Sequence, residues 1–302
     1  MTKLPSAPAS PPPTYAYVAI HIAALFFGLA GIFGALIEAS AEFITMARAL
    51  FAFLVLGLLL SIFRQPFFSP ALFRQKQQCL SLVGAIFCLG LHWLSFFIAI
   101  KKGGVAVATL GFASFPAFTT LIEYIFGREP MQRHDIWSIL LISIGLLLVN
   151  PSFSMHDQMT VGLLWGIVSG FSFALFAYLN RGLSHRASAL QIAFWQNLGV
   201  CILYLPWAWS ASQNATLNDW FWAALLGLFC TALAHYLIIR SLQHLKARHA
   251  GIVIALEPVY AIFFAALLFQ QYPSLRMLIG AFVIIGTIIW SQRQQQTKKT
   301  RP

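Results

Sequence analysis

The sequence has few charged residues. Asp, Glu, Lys and Arg make up 9% of its 302 residues, whereas soluble domains carry about 25%. Hydrophobic residues reach 59%, and the mean hydropathy is +0.78. A soluble fold cannot cover so much apolar side chain with so few polar ones. The composition therefore predicts an integral membrane protein.

Motifs for metals, nucleotides and hydrolysis are also missing. The sequence contains no Walker A, HExxH or GxSxG motif and no His/Cys/Asp cluster at metal-binding spacing. The four cysteines lack CxxC spacing and lie in or beside apolar runs, which is typical of small core residues. We therefore expect neither an enzyme nor a metal or other cofactor. The cysteines are Cys79, Cys88, Cys201 and Cys230.

Acidic residues are scarce, so the formal net charge is +11. A basic balance can indicate nucleic-acid binding, but no basic stripe with interleaved aromatic residues is present. We therefore expect no nucleic-acid partner. In membrane proteins a surplus of Lys and Arg is first a signal of topology.

The sequence does contain many long apolar runs. A membrane-spanning helix needs about 20 mostly apolar residues. The runs are continuous rather than alternating, which favours helices over a β-barrel. Ten spans are predicted, at residues 15–36, 43–63, 79–100, 104–126, 135–150, 160–180, 190–209, 219–240, 248–269 and 274–291.

The positions of Lys and Arg predict the orientation of these spans. Of 19 such residues, all but Arg48, Lys101, Lys102 and Arg276 fall at the termini or in loops that follow even-numbered spans. Cytoplasmic loops hold the excess of Lys and Arg. Both termini are therefore predicted to be cytoplasmic.

The chain also contains an internal repeat. Phe27–Gly28 recurs as Trp165–Gly166, and Pro116 recurs as Pro258, 142 residues later. Each half holds five predicted spans, an odd number, so the halves are predicted to be inverted relative to each other. The alternative is chance similarity between two apolar sequences. The predicted units are a disordered Pro-rich cytoplasmic leader (1–14), two five-helix repeats (15–150 and 160–291) and a basic cytoplasmic tail (292–302).

Three stretches resemble one known family. Arg48 stands in "ITMARALFAFL", and "GFASFPAFTTLIEYIFGREP" holds Pro116 and, thirteen residues later, Glu129. "IALEPVYAIFFAALLFQQYPS" repeats this pattern around Pro258, but Gln271 stands where the family usually has a second Glu. With the ten-span layout, these stretches resemble the drug/metabolite transporter superfamily, EamA type, over residues 15–291.

The resemblance implies an all-α integral membrane fold with ten transmembrane helices in two inverted five-helix repeats. It implies a secondary transporter in the plasma membrane, here a bacterial inner membrane, that exports small organic metabolites such as amino acids or related amphipathic compounds. Alternating access is expected, with proton coupling left open. Metabolite uptake is the nearest alternative, and a non-transporting sensor or an intramembrane enzyme is a more distant one. The expected partners are a small-molecule substrate and the lipid bilayer, with a homodimer left open.

Glu257 is the one carboxylate predicted near the middle of a span. A lone carboxylate is costly in a membrane, so it is expected to be protonated, paired or exposed to a wet cavity. Pro258 removes one helical hydrogen bond beside it. We interpret Glu257 as a group that contacts a substrate amine or carries a coupling proton. The alternative is a neutral carboxyl group that is hydrogen-bonded to a neighbouring helix.

Arg48 lies about one and a half turns inside the second span, and its repeat counterpart is near Gln196, so this charge is not symmetric. The preferred interpretation is structural: Arg48 extends to the outer interface or pairs with Glu42 or Glu38. The alternative is bidentate binding of a substrate carboxylate.

Three further sites hold candidate substrate contacts. His92–Trp93 and His235–Tyr236 fall in corresponding regions of the two repeats, and a His beside an aromatic residue suits a cavity wall. His21 on the first span is a weaker candidate, since a single buried His is more often simply hydrogen-bonded within the core. Pro116 and Pro258 are predicted to mark paired helix breaks.

Overall fold

The computed structural model describes residues 14–127, 130–149, 154–183, 186–242, 244–245, 253–254 and 256–299. These residues form helices and connecting turns, with no strand among them. The helices are α1 (Thr14–Leu36), α2 (Ala41–Ile62), α3 (Pro70–Phe73), α4 (Lys76–Phe112), α5 (Phe115–Ile125), α6 (Arg133–Val149), α7 (Gln158–Leu183), α8 (Ala189–Asn214), α9 (Leu217–Gly227), α10 (Ala234–Leu242), α11 (Glu257–Phe269) and α12 (Leu275–Lys299), with a π-helical segment at Leu228–Leu233 between α9 and α10.

Parts of five predicted features lie outside the described residues. They are residues 1–13 of the leader, Glu129 of the fourth-span pattern, residue 150 of the fifth span, residues 248–252 and 255 of the ninth span, and residues 300–302 of the tail. Thr14, which the sequence assigns to the leader, is instead the first residue of α1.

Seven helical segments among the described residues are long and apolar enough to cross a membrane. They are α1, α2, α4, α7, α8, the continuous stretch Leu217–Ile238, and α12 up to Gln294. The predicted fifth and ninth spans correspond to the shorter α6 and α11, and the fourth span is shared between the end of α4 and α5. Together these segments account for all ten predicted spans.

The predicted third and fourth spans meet inside α4. Gly104 interrupts this helix with φ 81° and ψ 171°, a backbone conformation that residues with a Cβ rarely adopt. The rings of His92 and Phe112 are 5.0 Å apart, although a straight helix would separate residues twenty positions apart by about 30 Å. Gly104 therefore divides α4 into two arms that fold back against each other.

The two halves of the chain pack by equivalent pairs of elements. α1 packs against α10 and α11, and its counterpart α7 packs against α4 and α5. α2 packs against its counterpart α8, and α6 against its counterpart α12. This exchange of partners is what a pseudo-two-fold axis between inverted repeats produces. The predicted fold class, all-α integral membrane with ten transmembrane helices in two inverted five-helix repeats, is confirmed.

Glycines permit the closest of these approaches. A Cβ on Gly28 would lie 2.6 Å from the Cβ of Tyr260, and a Cβ on Gly166 would lie 3.0 Å from the Cα of Gly111. Gly28 and Gly166 are the two glycines of the recurring sequence motif. Each brings the first helix of one repeat against the fourth helix of the other, because small residues let helix backbones approach closely in membranes.

Candidate functional site

Two helices begin beside a proline near the middle of the bundle. α5 begins at Phe115 with Pro116 as its second residue, and α11 begins at Glu257 with Pro258 as its second residue. Proline suits the first turn of a helix, where its missing N–H would have no helical partner. The two starts occupy equivalent positions in the repeats. They differ in their first residue, an aromatic ring in one and a carboxyl group in the other.

Both first residues line a cavity of about 200 Å³. Among the described residues its charged or titratable groups are Arg48, His92, His235 and Glu257. An apolar pocket with a small number of converging polar groups is the usual form of a small-molecule site. The rest of the wall is mainly aromatic, formed by Phe27, Trp93, Phe96, Phe112, Phe115, Phe173 and Phe176.

Much of this lining consists of repeat-equivalent residues. At the 142-residue spacing of the two prolines, four residues of the first half and their four counterparts all line the cavity. The cavity therefore lies near the pseudo-two-fold axis that relates the repeats. Carriers with inverted repeats bind their substrates at this interface. The pairs are Trp93 and His235, Phe96 and Ile238, Phe112 and Ile254, and Phe115 and Glu257.

Arg48 reaches this cavity from α2. It is 5% exposed. Its Nε donates to Thr231 Oγ1 at 2.8 Å, and its Nη2 donates to the carbonyl of Cys230 at 3.4 Å. The guanidinium carbon lies 4.3 Å from the ring centroid of Trp93, within the range of a cation–π contact.

The preferred structural interpretation of Arg48 is therefore wrong in its details. Arg48 does not extend to an interface, since its side chain is enclosed by α4 and the π-helical segment. Within the described part of the chain it forms no ion pair with Glu38 or Glu42. The physical reason is that Thr231, the Cys230 carbonyl and Trp93 solvate the guanidinium inside the bundle.

The π-helical segment supplies the oxygen atoms that hold Arg48. Within it, Thr231 Oγ1 donates to the carbonyl of Leu226 at 3.2 Å while it accepts from Arg48. A π-turn displaces backbone carbonyls from the regular helical ladder, which leaves acceptors available, and such turns are frequent at functional sites. This segment could not be predicted, because no residue in "LFCTAL" signals a π-turn.

Glu257 lines the cavity from the first turn of α11. Its side chain is half-buried and faces the same cavity as Arg48. Its charge interacts with that of Arg48. The first turn of a helix favours a negative charge, so this position can hold either a carboxylate or a carboxyl group that gives up its proton.

Two histidines complete the polar groups. His92 is 8% exposed, and its Nδ1 lies 2.7 Å from Ser169 Oγ on α7. His235 Nδ1 lies 2.7 Å from the carbonyl of Thr231, which fixes Nδ1–H as the donor. A ring held at Nδ1 can offer its Nε2 to a ligand. Two of the three predicted histidines, His92 and His235, thus line the cavity, as does Trp93.

Tyr236 and His21 do not line the cavity. Tyr236 stacks on Phe63, with ring centroids 5.7 Å apart. His21 lies on an exposed face of α1. Helical periodicity explains the position of Tyr236, since it follows the cavity-lining His235 and therefore points about 100° away.

The loop between α1 and α2 is held by charged groups from both repeats. Lys101 Nζ donates to the carbonyls of Ile37 and Glu38 at 3.0 and 3.3 Å. Asp219 Oδ1 accepts from the backbone N–H groups of Glu38 and Ala39 at 2.7 and 3.4 Å. These contacts fix the loop at this end of the bundle. In the sequence Asp219 stands at the start of a predicted span, and nothing there indicates this contact.

The remaining residues that sequence reasoning missed are partners rather than direct participants. Ser169 orients His92, and Phe173 packs on the same ring with centroids 5.0 Å apart. Both come from α7, whose polar and aromatic residues are too regularly spaced to single out from the sequence. No group of three or more potential metal-ligating side chains occurs among the residues that the structure describes.

One protein-family profile matches this chain twice. The profile of the EamA-like transporter family matches residues 14–150 and, a second time, residues 160–292. A solved structure is similar over 95% of this chain and 99% of its own, with a TM-score of 0.64 and 15% sequence identity. That likeness concerns the fold alone.

Three similar proteins have names that state export, uptake or no direction of transport. An uncharacterized transporter of Archaeoglobus fulgidus is 25% identical over 281 residues, 93% of this chain and 97% of its own. The pseudopaline exporter CntI of Pseudomonas aeruginosa is 24% identical over 89% of this chain and 92% of its own. An S-adenosylmethionine uptake transporter of Rickettsia conorii is 24% identical over 65% of this chain and 66% of its own.

Proposed function

Because the chain belongs to the EamA-like transporter family, we propose that it is a secondary transporter that exports small organic metabolites, such as amino acids or related amphipathic compounds. The observation that carries this proposal is the pairing of Arg48 and Glu257 on one aromatic cavity between the repeats. A cavity with one cation, one carboxyl group and apolar walls is complementary to a zwitterion with an apolar side chain.

Arg48 is the proposed partner of the substrate carboxylate. A guanidinium has five N–H donors, and the bonds to Thr231 and Cys230 use two of them. The other donors can form a bidentate pair with a carboxylate. Stacking on Trp93 holds the guanidinium plane in place, so little side-chain freedom is lost when the substrate binds.

Glu257 is the proposed partner of the substrate amine and the carrier of a coupling proton. Since its carboxyl group lines the cavity, a solute there can exchange with its proton. A substrate ammonium group that enters the cavity would favour the carboxylate and release that proton. Binding of substrate and binding of the proton would then exclude each other, which is the requirement for exchange of one for the other.

Export from the cytoplasm is supported by the distribution of charge. The excess of Lys and Arg in the loops after even-numbered spans favours cytoplasmic termini in a bacterial inner membrane. On that topology, Lys101 and Asp219 hold the loop between α1 and α2 at the outer end of the bundle. Export requires that the cavity receives its substrate from the cytoplasmic side, opposite this loop. Uptake is the second candidate, favoured by the resemblance to a relative named as an uptake transporter.

Flux measurements in proteoliposomes with an imposed pH gradient test the proposal. Wild-type protein is expected to move at least one zwitterionic amino acid against its gradient when the pH gradient is present. The Glu257→Gln variant is expected to lose this driven movement while keeping exchange of substrate for substrate. A wild-type rate and a wild-type pH response in Glu257→Gln would contradict the role of Glu257. No flux of any amino acid would contradict the proposed substrate class.

A further inference from the structure

A second cavity, of about 290 Å³, adjoins the first. The two share Glu257 and four apolar lining residues. The second cavity continues past Pro258 to one face of α12, where Ile288 and Gln292 line it. The shared apolar residues are Phe112, Phe115, Phe173 and Ile254. Glu257 thus lies between two adjoining cavities and lines both.

Of the described side chains of α12, Ile288 and Gln292 line the second cavity, and Gln292 is the polar one. Its Oε1 is buried and has no hydrogen-bond partner among the described residues. A buried amide oxygen without a donor is unfavourable, and such atoms in native proteins usually have a reason. On the same helix, Gln294 is exposed. The side chain of Gln292 is therefore covered because it faces the cavity, and not because this whole end of α12 is covered.

We propose that the second cavity is a substrate subsite, in which apolar walls receive the far end of an amphipathic solute and Gln292 Oε1 accepts a hydrogen bond from an O–H or N–H group there. The inference rests on the proposed function and deepens it. Ligand sites usually span about 300–1,000 Å³, and the central cavity alone is smaller than that. With both cavities in use, the charged end of the solute lies near Arg48 and Glu257, and its body extends toward Gln292.

The subsite selects a class of solute. A short zwitterion can fill the central cavity and leave Gln292 without a donor. A longer one, with an apolar body and a distal donor, satisfies both ends. Selectivity of this kind is strong, because an analogue that lacks the donor leaves the buried acceptor unpaired.

Two pairs of amino acids, each nearly matched in size, test the role of Gln292. L-tyrosine carries a distal O–H that L-phenylalanine lacks, and L-tryptophan carries an N–H that 1-methyl-L-tryptophan lacks. Wild-type protein in proteoliposomes is expected to prefer the donor-bearing member of at least one pair by about fivefold or more in apparent affinity, the scale of one hydrogen bond. Gln292→Leu should reduce that preference to less than about twofold. The control Gln294→Leu makes the same substitution at an exposed position and should keep it.

The possible results separate the two proposals. If wild-type protein carries both members of a pair without preference, or if Gln292→Leu keeps the wild-type preference, the subsite is overturned while the proposed function stands. If wild-type protein carries none of the four probes but carries smaller amino acids, the second cavity does not receive a substrate. If it carries no amino acid at all, the proposed function fails first and the subsite fails with it.

A change of volume gives an independent test. Ile288→Trp introduces an indole ring into the second cavity, whereas Ile279→Trp places the same ring on an exposed face of α12. Ile288→Trp is expected to lower L-tyrosine flux about tenfold or more and to keep L-alanine flux within about twofold of wild type, because overpacking excludes only the solute that needs the space. Retained L-alanine flux shows that the variant folds. Equal loss of both fluxes, or the same loss in Ile279→Trp, would contradict the subsite.

Discussion

The two halves of this molecule share a backbone plan but differ in chemistry. Each half has a helix that begins beside a proline at the central cavity, at Pro116 in one half and Pro258 in the other. The residue before the proline is Phe115 in the first half and Glu257 in the second. Arg48 likewise has its counterpart near Gln196, which donates to Asn180 at 2.7 Å. The shared backbone of the repeats thus forms the cavity, whereas the charges of the cavity, Arg48 and Glu257, stand where the two repeats differ in sequence.

The largest expected effect comes from removal of the second-half carboxyl group. Glu257→Gln should lower flux driven by a pH gradient by about tenfold or more, since the amide neither releases a proton nor pairs with an ammonium group. The equivalent change in the first half, Phe115→Leu, alters the cavity wall without altering its charge. It should change apparent affinity while keeping the response to pH. The comparison would break if Phe115→Leu lost the pH response and Glu257→Gln kept it.

A similar effect is expected when Arg48, the cavity charge of the first half, is replaced by glutamine, the residue type of its counterpart Gln196. Arg48→Gln removes the proposed partner of the substrate carboxylate and should raise the apparent dissociation constant by about tenfold to a hundredfold. The control is Gln196→Met, which loses the bond to Asn180 but contributes nothing to the cavity. This control should lower thermal stability and keep affinity. Unchanged substrate affinity in Arg48→Gln would restore a purely structural role for Arg48.

The shared backbone plan predicts equal sensitivity at the two equivalent glycines. Gly28→Ala and Gly166→Ala should each destabilise the protein by about 1–3 kcal/mol, because the added Cβ overlaps a neighbouring helix at either site. Gly286→Ala is the matched control, since a Cβ there meets no atom within 4 Å, and it should be neutral or stabilising by up to about 1 kcal/mol. Thermal unfolding in detergent measures all three. Destabilisation at only one of the two equivalent glycines would show that their contacts are not equivalent.

A moderate effect on stability is expected at Asp219, which holds the loop between α1 and α2. Asp219→Asn keeps the size of the side chain but weakens its charge-assisted bonds to the loop between α1 and α2, at a cost of about 1–3 kcal/mol. Thermal unfolding measures this loss. Asn218→Ala, one residue away at an exposed position, is the control and should stay within about 0.5 kcal/mol of wild type. Equal stability of both variants would contradict a holding role for Asp219.

The smallest effect is expected at His21. Its exposed position on α1 predicts that His21→Gln changes stability by less than about 0.5 kcal/mol and leaves flux unchanged. His92→Gln, at a buried cavity position, should lower flux because it removes the ring that Ser169 orients. Flux assays on the two variants compare an exposed histidine with a cavity histidine. A larger loss in His21→Gln would contradict the assignment of the cavity.

The sequence predicted the fold well because membrane spans leave a strong compositional signal. Ten apolar runs, the bias of Lys and Arg and the spacing of Pro116 and Pro258 were sufficient for the helix count and the repeat. The predicted division between the third and fourth spans falls beside Gly104, where a single helix element folds back on itself. Hydropathy cannot place that interruption, since glycine is also common inside transmembrane helices.

The site was predictable only where a residue was chemically out of place. Glu257 and Arg48 stood out as charges inside apolar runs. Thr231 and Gln292 did not, because a threonine within a span and a glutamine at the end of one are both unremarkable in composition. Their roles depend on the π-helical segment and on the face that α12 turns toward the second cavity, and both follow from packing across the repeats rather than from local sequence.

Proton release on substrate binding is the most direct test of whether Glu257 gives up its proton when the substrate amine binds. Purified protein is placed in weak buffer near neutral pH with a pH indicator, and a transported amino acid is added at saturation. If Glu257 gives up a proton to the substrate amine, wild-type protein releases protons in proportion to bound substrate, and Glu257→Gln binds the same amino acid at higher concentration without releasing any. Equal proton release from wild type and Glu257→Gln would contradict the account.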